Sequence, residues 1–502
     1  MAGITETSAE AKDSTAVEAG KAVEVTEPAT KAEATESKPL SKALRWFYGV
    51  GDFGFTLMSS VETYYFVFFL TNLAMFDPAV AALVAAIGSG VDAVLGWMYG
   101  GFINSLKPFK WGRYRSWLLV LPWLVPFLYA FEFVRISDNV LLSAVLIIFF
   151  NVTSHAAWDF PYVANLSMIA IAGKTPEERQ HMASTRSMYS NASKIVFSYI
   201  VPPIALFGAA TLGEANQYAV AAFATGAIFA VLYYIHFRMF KGYDKEFTAE
   251  ELKNYKANKQ ADESRTTFGD LMRALFTNPP LIALMLSDIA KWIFNFTCAG
   301  IAVYYFTYVV FDPAMLATYI FLSNLLCVIG SYFAPFIVKI LKSGRNATAV
   351  MLFLMTLVLV AARLVYTNMW AVIVLMSLAQ MFYGVVYAVT PALYADTVIY
   401  AQWKTHKNAA GWISGLQLFP LKIGFVARGV VIPALLAAAG FVSGMAVEDT
   451  TLPLQEGICN GFMVVPAIIC AIAAVILLAG FRLTPAKIEQ YQREIEAREA
   501  TE

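Results

Sequence analysis

The sequence predicts an all-α membrane protein with twelve transmembrane helices. Hydrophobic residues make up 59% of the 502-residue chain and charged residues only 14%, well below the share of about 25% that is typical of soluble domains. Apolar runs of about 20 residues or more, each long enough to cross a bilayer, recur along the chain. They form two groups of six, separated by a charged segment.

The twelve predicted spans follow one another closely within each group. The first six lie near residues 45–72, 78–103, 116–135, 140–172, 187–212 and 217–238. The second six lie near residues 280–310, 314–341, 347–366, 369–400, 409–442 and 458–482. This division predicts an N-terminal six-helix bundle over residues 44–238 and a C-terminal six-helix bundle over residues 280–483.

Three polar segments lie outside the two bundles. Residues 1–43 contain few large apolar side chains, so we expect a disordered tail there. Residues 239–279 predict a linker with a surface helix that starts at Thr248, where Glu251 completes a capping box. Residues 484–502 predict an exposed C-terminal tail with a charged helix.

The loop charges alternate along the chain and predict its orientation. Lysine and arginine cluster in the loops after even-numbered spans, as at Lys107 and Lys110, whereas Arg135 stands alone among the loops after odd-numbered spans. By the positive-inside rule, the first kind of loop and both chain termini are cytoplasmic. We therefore expect a multi-pass protein of the cytoplasmic membrane, with the lipid bilayer as its surroundings.

Charge and motifs exclude several classes of protein. The formal net charge is zero, which gives no reason to expect a nucleic-acid partner. The sequence lacks HExxH, GxSxG and P-loop motifs, so we expect no enzyme, no cofactor, no metal centre and no ATP-driven step. Any driving force is then an ion gradient or the gradient of the solute itself.

Charged and polar residues inside the spans are the candidate functional residues, because a charge in the membrane interior is costly and rarely present without a task. Asp92 and Asp159 have no cation within one turn of their own helices, so each needs a cation, a proton or a solute as its partner. Pairing of Asp92 with Lys422 across the two groups of spans stays open as an alternative. Further candidates inside the spans include Asp52, Glu62, His155, Tyr162, Arg186, Lys194, Gln380, Tyr383, Tyr387, Asp396, Gln417 and Arg428.

Six local motifs resemble one known family. They are YGVGDFGF opening span 1, VDAVLGW with KWGRYRSWLL after it, WDFPY in span 4, AVYYFTYV in span 7, YADTVIYAQWK ending span 10 and QLFPLKIG in span 11. Over residues 44–485 the chain resembles the glycoside–pentoside–hexuronide:cation symporters of the major facilitator superfamily, the melibiose-permease group. The resemblance implies two six-helix bundles around a central cavity, with alternating access.

The resemblance also implies roles for individual residues. Asp92 matches the first cation-site aspartate of the family, and Asp159 matches its sugar-binding aspartate in span 4. Arg186, Gln417, Lys422 and Asp396 match further polar positions of the family. This chain departs from the family where the second cation-site aspartate falls on Gly96, its neighbouring asparagine on Leu95, the span-4 threonine on Ala156 and the span-1 sugar-binding aspartate on Thr56.

We therefore expect a secondary active transporter that moves a small organic solute, such as a glycoside or a uronide, by cation- or proton-coupled symport. A proton is favoured over sodium as the coupling cation, because the departures remove oxygen ligands that sodium needs. A uniporter or exchanger of an organic anion, or a lipid-handling or receptor protein on the same scaffold, is the alternative. We expect a monomer.

Three groups of residues carry these expectations. The coupling ion or proton is assigned to Asp92, Asp52 and Glu62. Arg113, Arg115 and Asp396 are expected to form a conformational latch. The expected solute-binding residues are Asp159, His155, Tyr162, Arg186, Gln380, Tyr383, Tyr387, Gln417 and Lys422.

Overall fold

A computed structural model of the chain describes residues 39–96, 98–173, 176–254, 275–405, 413 and 416–499. These described residues are helical almost throughout and form no β-strand. Eleven helices are long and apolar enough to cross a membrane, and the apolar helix Trp117–Glu132 is shorter. The predicted all-α class with twelve spans is confirmed.

We number the twelve membrane helices α1 to α12 in chain order. The helices of the N-terminal half are α1 Lys42–Leu73, α2 Pro78–Gly96, α3 Trp117–Glu132, α4 Val140–Ala172, α5 Pro176–Leu212 and α6 Gln217–Met239. The helices of the C-terminal half are α7 Pro279–Val309, α8 Met315–Leu341, α9 Gly344–Leu364, α10 Met369–Thr405, α11 Leu418–Ala438 and α12 Leu452–Gly480. Each helix corresponds in order to one predicted span.

The surface segments agree with the sequence pattern where the structure describes them. A short helix, Ala249–Asn254, follows α6, and the predicted capping box is present at its start. Thr248 Oγ1 accepts from the Glu251 amide over 3.2 Å, and Glu251 Oε2 accepts from the Thr248 amide over 2.8 Å. A last helix, Pro485–Glu499, ends the described chain. Of the expected tail over residues 1–43, residues 1–38 lie outside the described residues, and the helix that begins at Lys42 occupies its last two positions. Most of the linker after Asn254 also lies outside them.

The first helix of each half ends in the same way. A π-helical turn closes α1 at Phe69–Leu73 and α7 at Tyr305–Val309. Each turn leads to a non-glycine residue with left-handed backbone, Met75 at φ 57° and Phe311 at φ 60°. Both halves carry the tetrapeptide Phe-Asp-Pro-Ala at this point, an internal repeat that the sequence analysis missed.

Contacts between these two helix ends join the halves. The hydroxyls of Thr71 and Tyr304 lie 2.6 Å apart, and the Asn72 amide is hydrogen-bonded to the hydroxyl of Tyr308. The ring of Phe68 packs edge-on against Tyr304 at 5.2 Å between centroids. The halves therefore meet at the C-terminal ends of α1 and α7.

Helices α8 and α10 pack with their backbones in direct contact. A Cβ atom on Gly330 in α8 would lie 1.8 Å from the carbonyl oxygen of Met381 in α10. In return, a Cβ atom on Gly384 in α10 would lie 2.1 Å from the carbonyl oxygen of Cys327 in α8. Reciprocal small residues of this kind allow the close helix approach that drives packing in membranes.

The substitution Gly384→Ala should destabilise the C-terminal half, because the new methyl group forces the two backbones apart at a cost of about 1–3 kcal/mol. The matched control is Gly90→Ala in α2, where an added Cβ meets no atom within 4 Å. Thermal unfolding of the purified protein, followed by tryptophan fluorescence, should show a lower midpoint for Gly384→Ala only. Equal midpoints for the two variants would contradict this account of the α8–α10 contact.

Candidate functional site

A cavity of about 430 Å³ lies between the two halves. Helices α1, α4 and α5 line one wall, and α7, α8, α10 and α11 line the other. In α1 the lining runs from Asp52 to Tyr64, so the cavity lies on the N-terminal side of the contact between Thr71 and Tyr304. Five residues expected to act in binding or coupling line it: Asp52, Tyr162, Arg186, Gln380 and Tyr387.

A bidentate ion pair occupies the wall of the cavity that belongs to the N-terminal half. The Arg186 guanidinium donates to both carboxylate oxygens of Asp52 over 2.7 and 2.5 Å, and to the Tyr162 hydroxyl over 3.2 Å. The matching fork geometry of the two groups makes this a strong, directional pair. Asp52 and Arg186 therefore orient each other at the cavity wall.

Aromatic rings and neutral polar groups form much of the remaining lining. Phe55 stacks on Tyr162 at 4.2 Å between centroids, and the rings of Trp292 and Tyr387 meet at a right angle on the opposite wall. The polar lining residues include Thr56, Ser59, Ser187, Ser190, Asn191, Asn295, Ser323 and Asn324. Such rings with interspersed hydrogen-bonding groups suit a polyhydroxylated ligand.

Lys194 adds a positive charge to this lining. It stands in α5, two turns beyond Arg186, and lines the cavity. Within the described part of the chain, no acidic side chain forms an ion pair with Lys194. The cavity thus presents one ammonium group, that of Lys194, with no acidic counter-ion among the described residues.

A buried charged cluster lies beside the cavity and joins the two halves. We define it as Glu62, Asp92, His155, Asp159, Lys422 and Arg428. The Lys422 ammonium lies 2.6 Å from Asp92 Oδ2 and 3.6 Å from Asp159 Oδ2. The pairing of Asp92 with Lys422, left open from the sequence, is therefore present, and it brings α2 and α4 to α11.

The other end of the charged cluster is fully buried. Arg428 is 1% exposed and donates from Nη2 to Glu62 Oε1 over 2.9 Å, and from Nη1 to the Glu62 carbonyl over 3.2 Å. His155 stands between the acids, with Nε2 at 3.1 Å from Glu62 and Nδ1 at 3.5 Å from Asp92. One imidazole thus connects both cross-half ion pairs.

Gly96 explains how Lys422 reaches Asp92. A Cβ atom on Gly96 would lie 3.2 Å from Lys422 Cε and 3.4 Å from its Nζ, so a larger residue would crowd the lysine. In the resemblance to the cation symporters, Gly96 stands at the position of the second cation-site aspartate. In this chain the lysine ammonium occupies the space next to Asp92 that such a side chain would face.

Several predicted residues lie outside the cavity lining. Within the polar stripe of α4, Tyr162 lines the cavity while His155 and Asp159 belong to the charged cluster. Tyr383 is 4% exposed and packs on Phe294. Gln417 precedes α11 as its N-terminal flanking residue.

Among the described residues, two of the predicted latch residues, Arg115 and Asp396, form no ion pair with each other. Arg115 donates to Glu246 Oε1 over 2.6 Å and to the Phe237 carbonyl over 2.8 Å, all within the N-terminal half. Asp396 lies half-buried in α10 and has no ion-pair partner among the described residues. The latch role of Arg113, Arg115 and Asp396 stays a prediction.

Sequence reasoning missed one acid altogether. Glu132 ends α3, is fully buried, and receives a hydrogen bond from Asn151 Nδ2 over 3.0 Å. One carboxylate oxygen of Glu132, one of Glu62 and one ring nitrogen of His155 lie within 4.8 Å of one another. The sequence did contain a signal. Glu132 lies at the end of an apolar run, Trp117–Glu132, that contains no lysine or arginine to neutralise it.

A two-half helical membrane fold around a polar cavity, with charges buried between the halves, defines a secondary transporter of small solutes and not an enzyme. The chain belongs to the MFS/sugar transport protein family, whose model matches residues 47–484. The resemblance to glycoside–pentoside–hexuronide symporters is confirmed.

Individual relatives and solved structures are similar to this chain over most of their length. The isoprimeverose transporter of Lactiplantibacillus pentosus is 23% identical and covers 86% of this chain and 87% of its own length. A putative sulfoquinovose importer of Escherichia coli (strain K12) is 25% identical and covers 87% of this chain and 89% of its own length. The crystal structure of a bacterial homologue of the human lysosomal transporter Spinster has a TM-score of 0.62 at 12% identity, covering 88% of this chain and 98% of that chain.

The substitution Lys422→Gln should destabilise the protein by about 3 kcal/mol, because it leaves two buried carboxylates facing each other without their ammonium partner. Adding Asp92→Asn to the same chain should recover part of this loss. The matched control, Lys339→Gln, changes an exposed lysine at the end of α8 and should leave the unfolding midpoint unchanged. If Lys422→Gln unfolds at the same temperature as the control, the ion pair does not hold the halves together.

Proposed function

We propose that this protein carries a sugar-like solute with an anionic group across the cytoplasmic membrane, together with protons. The observation that carries the proposal is the cavity of about 430 Å³ between the halves, which is within the usual size of ligand pockets. Because one chain forms the whole cavity, a monomer is the expected working unit.

The loop charges and the cross-half contacts together support an inward-opening state. Positive loops follow the even-numbered helices, so the N-terminal end of α1 is expected to face the cytoplasm. The contacts of Thr71 and Asn72 with α7 lie at the opposite end of α1. The cavity, which lies on the N-terminal side of these contacts, then opens towards the cytoplasm.

Rings and polar groups on both walls support a polyhydroxylated solute. A sugar ring presents apolar C–H faces that pack on aromatic side chains, and its hydroxyls need donors and acceptors at the edge. Tyr162 and Trp292 supply rings from opposite halves, while Asn324 and Gln380 supply amides. A lipid chain would find a less suitable lining, which disfavours the lipid-handling alternative.

Lys194 supports an anionic group on the solute. Lys422, one of the expected solute-binding residues, is held by Asp92 and Asp159 and does not line the cavity. Arg186 is held by Asp52. Lys194 keeps its charge available inside the cavity, and a carboxylate or sulfonate is the group that would neutralise it. The similarity to an importer named for sulfoquinovose, a sulfonated sugar, is consistent with this choice.

The substitution Lys194→Gln should weaken binding of an anionic sugar by about ten- to a hundredfold, since a hydrogen bond to a charged group contributes about 1.5–3 kcal/mol. Binding of the matched neutral sugar should change little. Calorimetry on the purified protein with a sugar sulfonate, a uronic acid and their neutral analogues measures both affinities, with Lys339→Gln as the control. Equal losses for charged and neutral sugars would leave a polar solute but remove its anionic group.

The charged cluster supports protons as the coupling cation. Sodium needs several oxygen ligands, and Asp92 has Gly96 and Leu95 beside it where oxygens would be required. The Lys422 ammonium already occupies the neighbouring space. Among the described residues, Asp92 Oδ1 accepts no hydrogen bond, which leaves one oxygen of this carboxylate for a proton.

The substitution Asp92→Asn should abolish accumulation of solute against its gradient while leaving exchange of solute across the membrane, because the neutral side chain no longer gains or loses a proton. Uptake into proteoliposomes under a pH gradient, and separately under a sodium gradient at fixed pH, tests this. Asp138→Asn, in an exposed loop, is the matched control. Undiminished accumulation by Asp92→Asn contradicts the role of Asp92, and uptake that follows sodium alone contradicts the choice of proton.

A uniporter or exchanger remains the second candidate, favoured by the ammonium of Lys422 beside Asp92. In that mechanism Lys422 would permanently neutralise the cation site. Wild-type protein that exchanges solute but ignores both gradients would decide for it.

A further inference from the structure

Four aromatic rings form a partly exposed surface where the loop of residues 106–116 meets α3 and α4. Phe109 of this loop packs edge-on against Trp117, the first residue of α3, at 5.4 Å between ring centroids. Trp117 stacks on Phe160 of α4 at 5.0 Å, and Phe160 contacts Phe102 of the helix Met98–Ser105 at 6.5 Å. Phe102 and Phe109 are 45% and 48% exposed. We call these four residues the aromatic surface.

Two lysines of the same loop lie next to the aromatic surface in the sequence. Lys107 precedes Phe109 by two residues and Lys110 follows it directly, and both lysine side chains are exposed. Neither lysine forms an ion pair within the described part of the chain. The loop therefore presents two positive charges beside exposed aromatic rings.

Two acidic side chains contact this loop, and both are engaged by other groups. Asp244 Oδ2 accepts from the amides of Tyr114 and Arg115 over 2.8 and 2.9 Å. Glu246 Oε1 accepts from Arg115 Nη1 over 2.6 Å. The charges of the two lysines are thus available to a ligand outside the chain.

Backbone hydrogen bonds hold the loop in a fixed shape. The Gly112 amide donates to the Phe109 carbonyl over 3.1 Å and closes a tight turn, in which Gly112 has a φ of 112° that favours glycine. The Phe247 amide, from the segment after α6, donates to the Lys110 carbonyl over 3.0 Å. Lys110 therefore projects from a turn that is anchored on both sides.

Trp111 is a further exposed ring of this turn. It is 36% exposed and packs edge-on against Phe237 of α6 at 5.9 Å between centroids. Indole rings are typical of the membrane–water interface, where the apolar body contacts lipid and the N–H group stays near the headgroups. Because Lys110 lies between Phe109 and Trp111 in the chain, we expect its ammonium at the level of the headgroups.

We propose that the aromatic surface, Trp111, Lys107 and Lys110 form a binding site for an anionic phospholipid of the cytoplasmic leaflet. The two ammonium groups bind the phosphate of the lipid, while Phe102 and Phe109 contact its glycerol region and the first part of its acyl chains. Positively charged loops are expected on the cytoplasmic side, where anionic lipids give the membrane a negative surface. The site is independent of the solute and of the coupling cation proposed above.

The start of α3 supports a lipid as the ligand. Val120 and Leu124 are 57% and 51% exposed and stand three and seven residues after Trp117, so they share its helix face. The aromatic surface thus continues into an apolar stripe of a membrane helix, which the acyl chains of the bilayer cover. A lipid fits both parts of this surface, the apolar stripe with its chains and the lysines with its phosphate.

Trp111 can report on the site, because brominated lipids quench the fluorescence of tryptophans that they contact. The protein is placed in phosphatidylcholine vesicles that contain either brominated phosphatidylglycerol or brominated phosphatidylcholine. The difference between each protein and its Trp111→Phe version isolates the signal of Trp111. Lys107→Gln with Lys110→Gln removes both proposed ligands, and Lys339→Gln with Lys342→Gln removes two exposed lysines from the end of α8 as the matched control.

Phosphatidylglycerol should bind at Trp111 about five- to twentyfold more strongly than phosphatidylcholine, since each lysine near an anionic surface contributes about fivefold. The variant without Lys107 and Lys110 should lose this preference, while its unfolding midpoint in detergent stays that of the wild type. The control variant should keep the preference. Sodium chloride at about 0.5 M should weaken it, because salt screens the charges.

Equal quenching of Trp111 by the two brominated lipids overturns the inference, because the loop then contacts lipid without preferring an anionic headgroup. Absence of quenching by either lipid places the turn in water and also overturns it. The same holds for an equal loss of preference in both double-lysine variants, which indicates a general attraction of lysines to the membrane. None of these results depends on the transported solute or cation, so the proposed function stands or falls separately.

Discussion

Two cations on α11 hold the halves together through buried acids of the opposite half. Lys422 binds Asp92 and Arg428 binds Glu62, with His155 between the two acids. In a membrane interior, an ion that loses its partner keeps the full cost of its desolvation. Neither pair can therefore open unless a proton, an ion or another side chain takes over the charge. This constraint ties any movement between the halves to a change in the protonation or occupancy of the cluster.

The ion pair at the cavity wall does not join the two halves, because both of its residues lie in one half. Asp52 and Arg186 both belong to the N-terminal half, so their contact can persist while the halves move. The facing wall offers the Trp292 ring and the amides of Asn324 and Gln380. In the proposed function, a solute in the cavity forms bonds with both walls. In that proposal the solute favours the approach of the halves, and the charge of the cluster decides whether they can separate.

Hydropathy alone was enough to predict the twelve helices, and a charge in an apolar run was enough to single out Asp92 and Asp159. Helix rotation was harder to predict, since a polar stripe on α4 does not tell which neighbour it faces; Tyr162 lines the cavity, but His155 belongs to the cluster. Glu132 was not predicted as a buried acid, because an acid near the end of a predicted span resembles a residue at the membrane interface. Only the packing of α4 over that helix end makes it a buried group.

An anionic solute changes what the protons in the cluster must do. A solute with one negative charge that crosses with one proton moves no net charge, so the membrane potential, worth about 2.3 kcal/mol per charge at 100 mV, contributes nothing. The driving force is then the pH difference alone, about 1.4 kcal/mol per pH unit. Movement of a second proton would restore the contribution of the potential. In the proposed proton-coupled transport of an anionic solute, the counter-ion that Lys194 lacks among the described residues and the number of acids in the charged cluster are linked, because together they would determine how far the solute is accumulated.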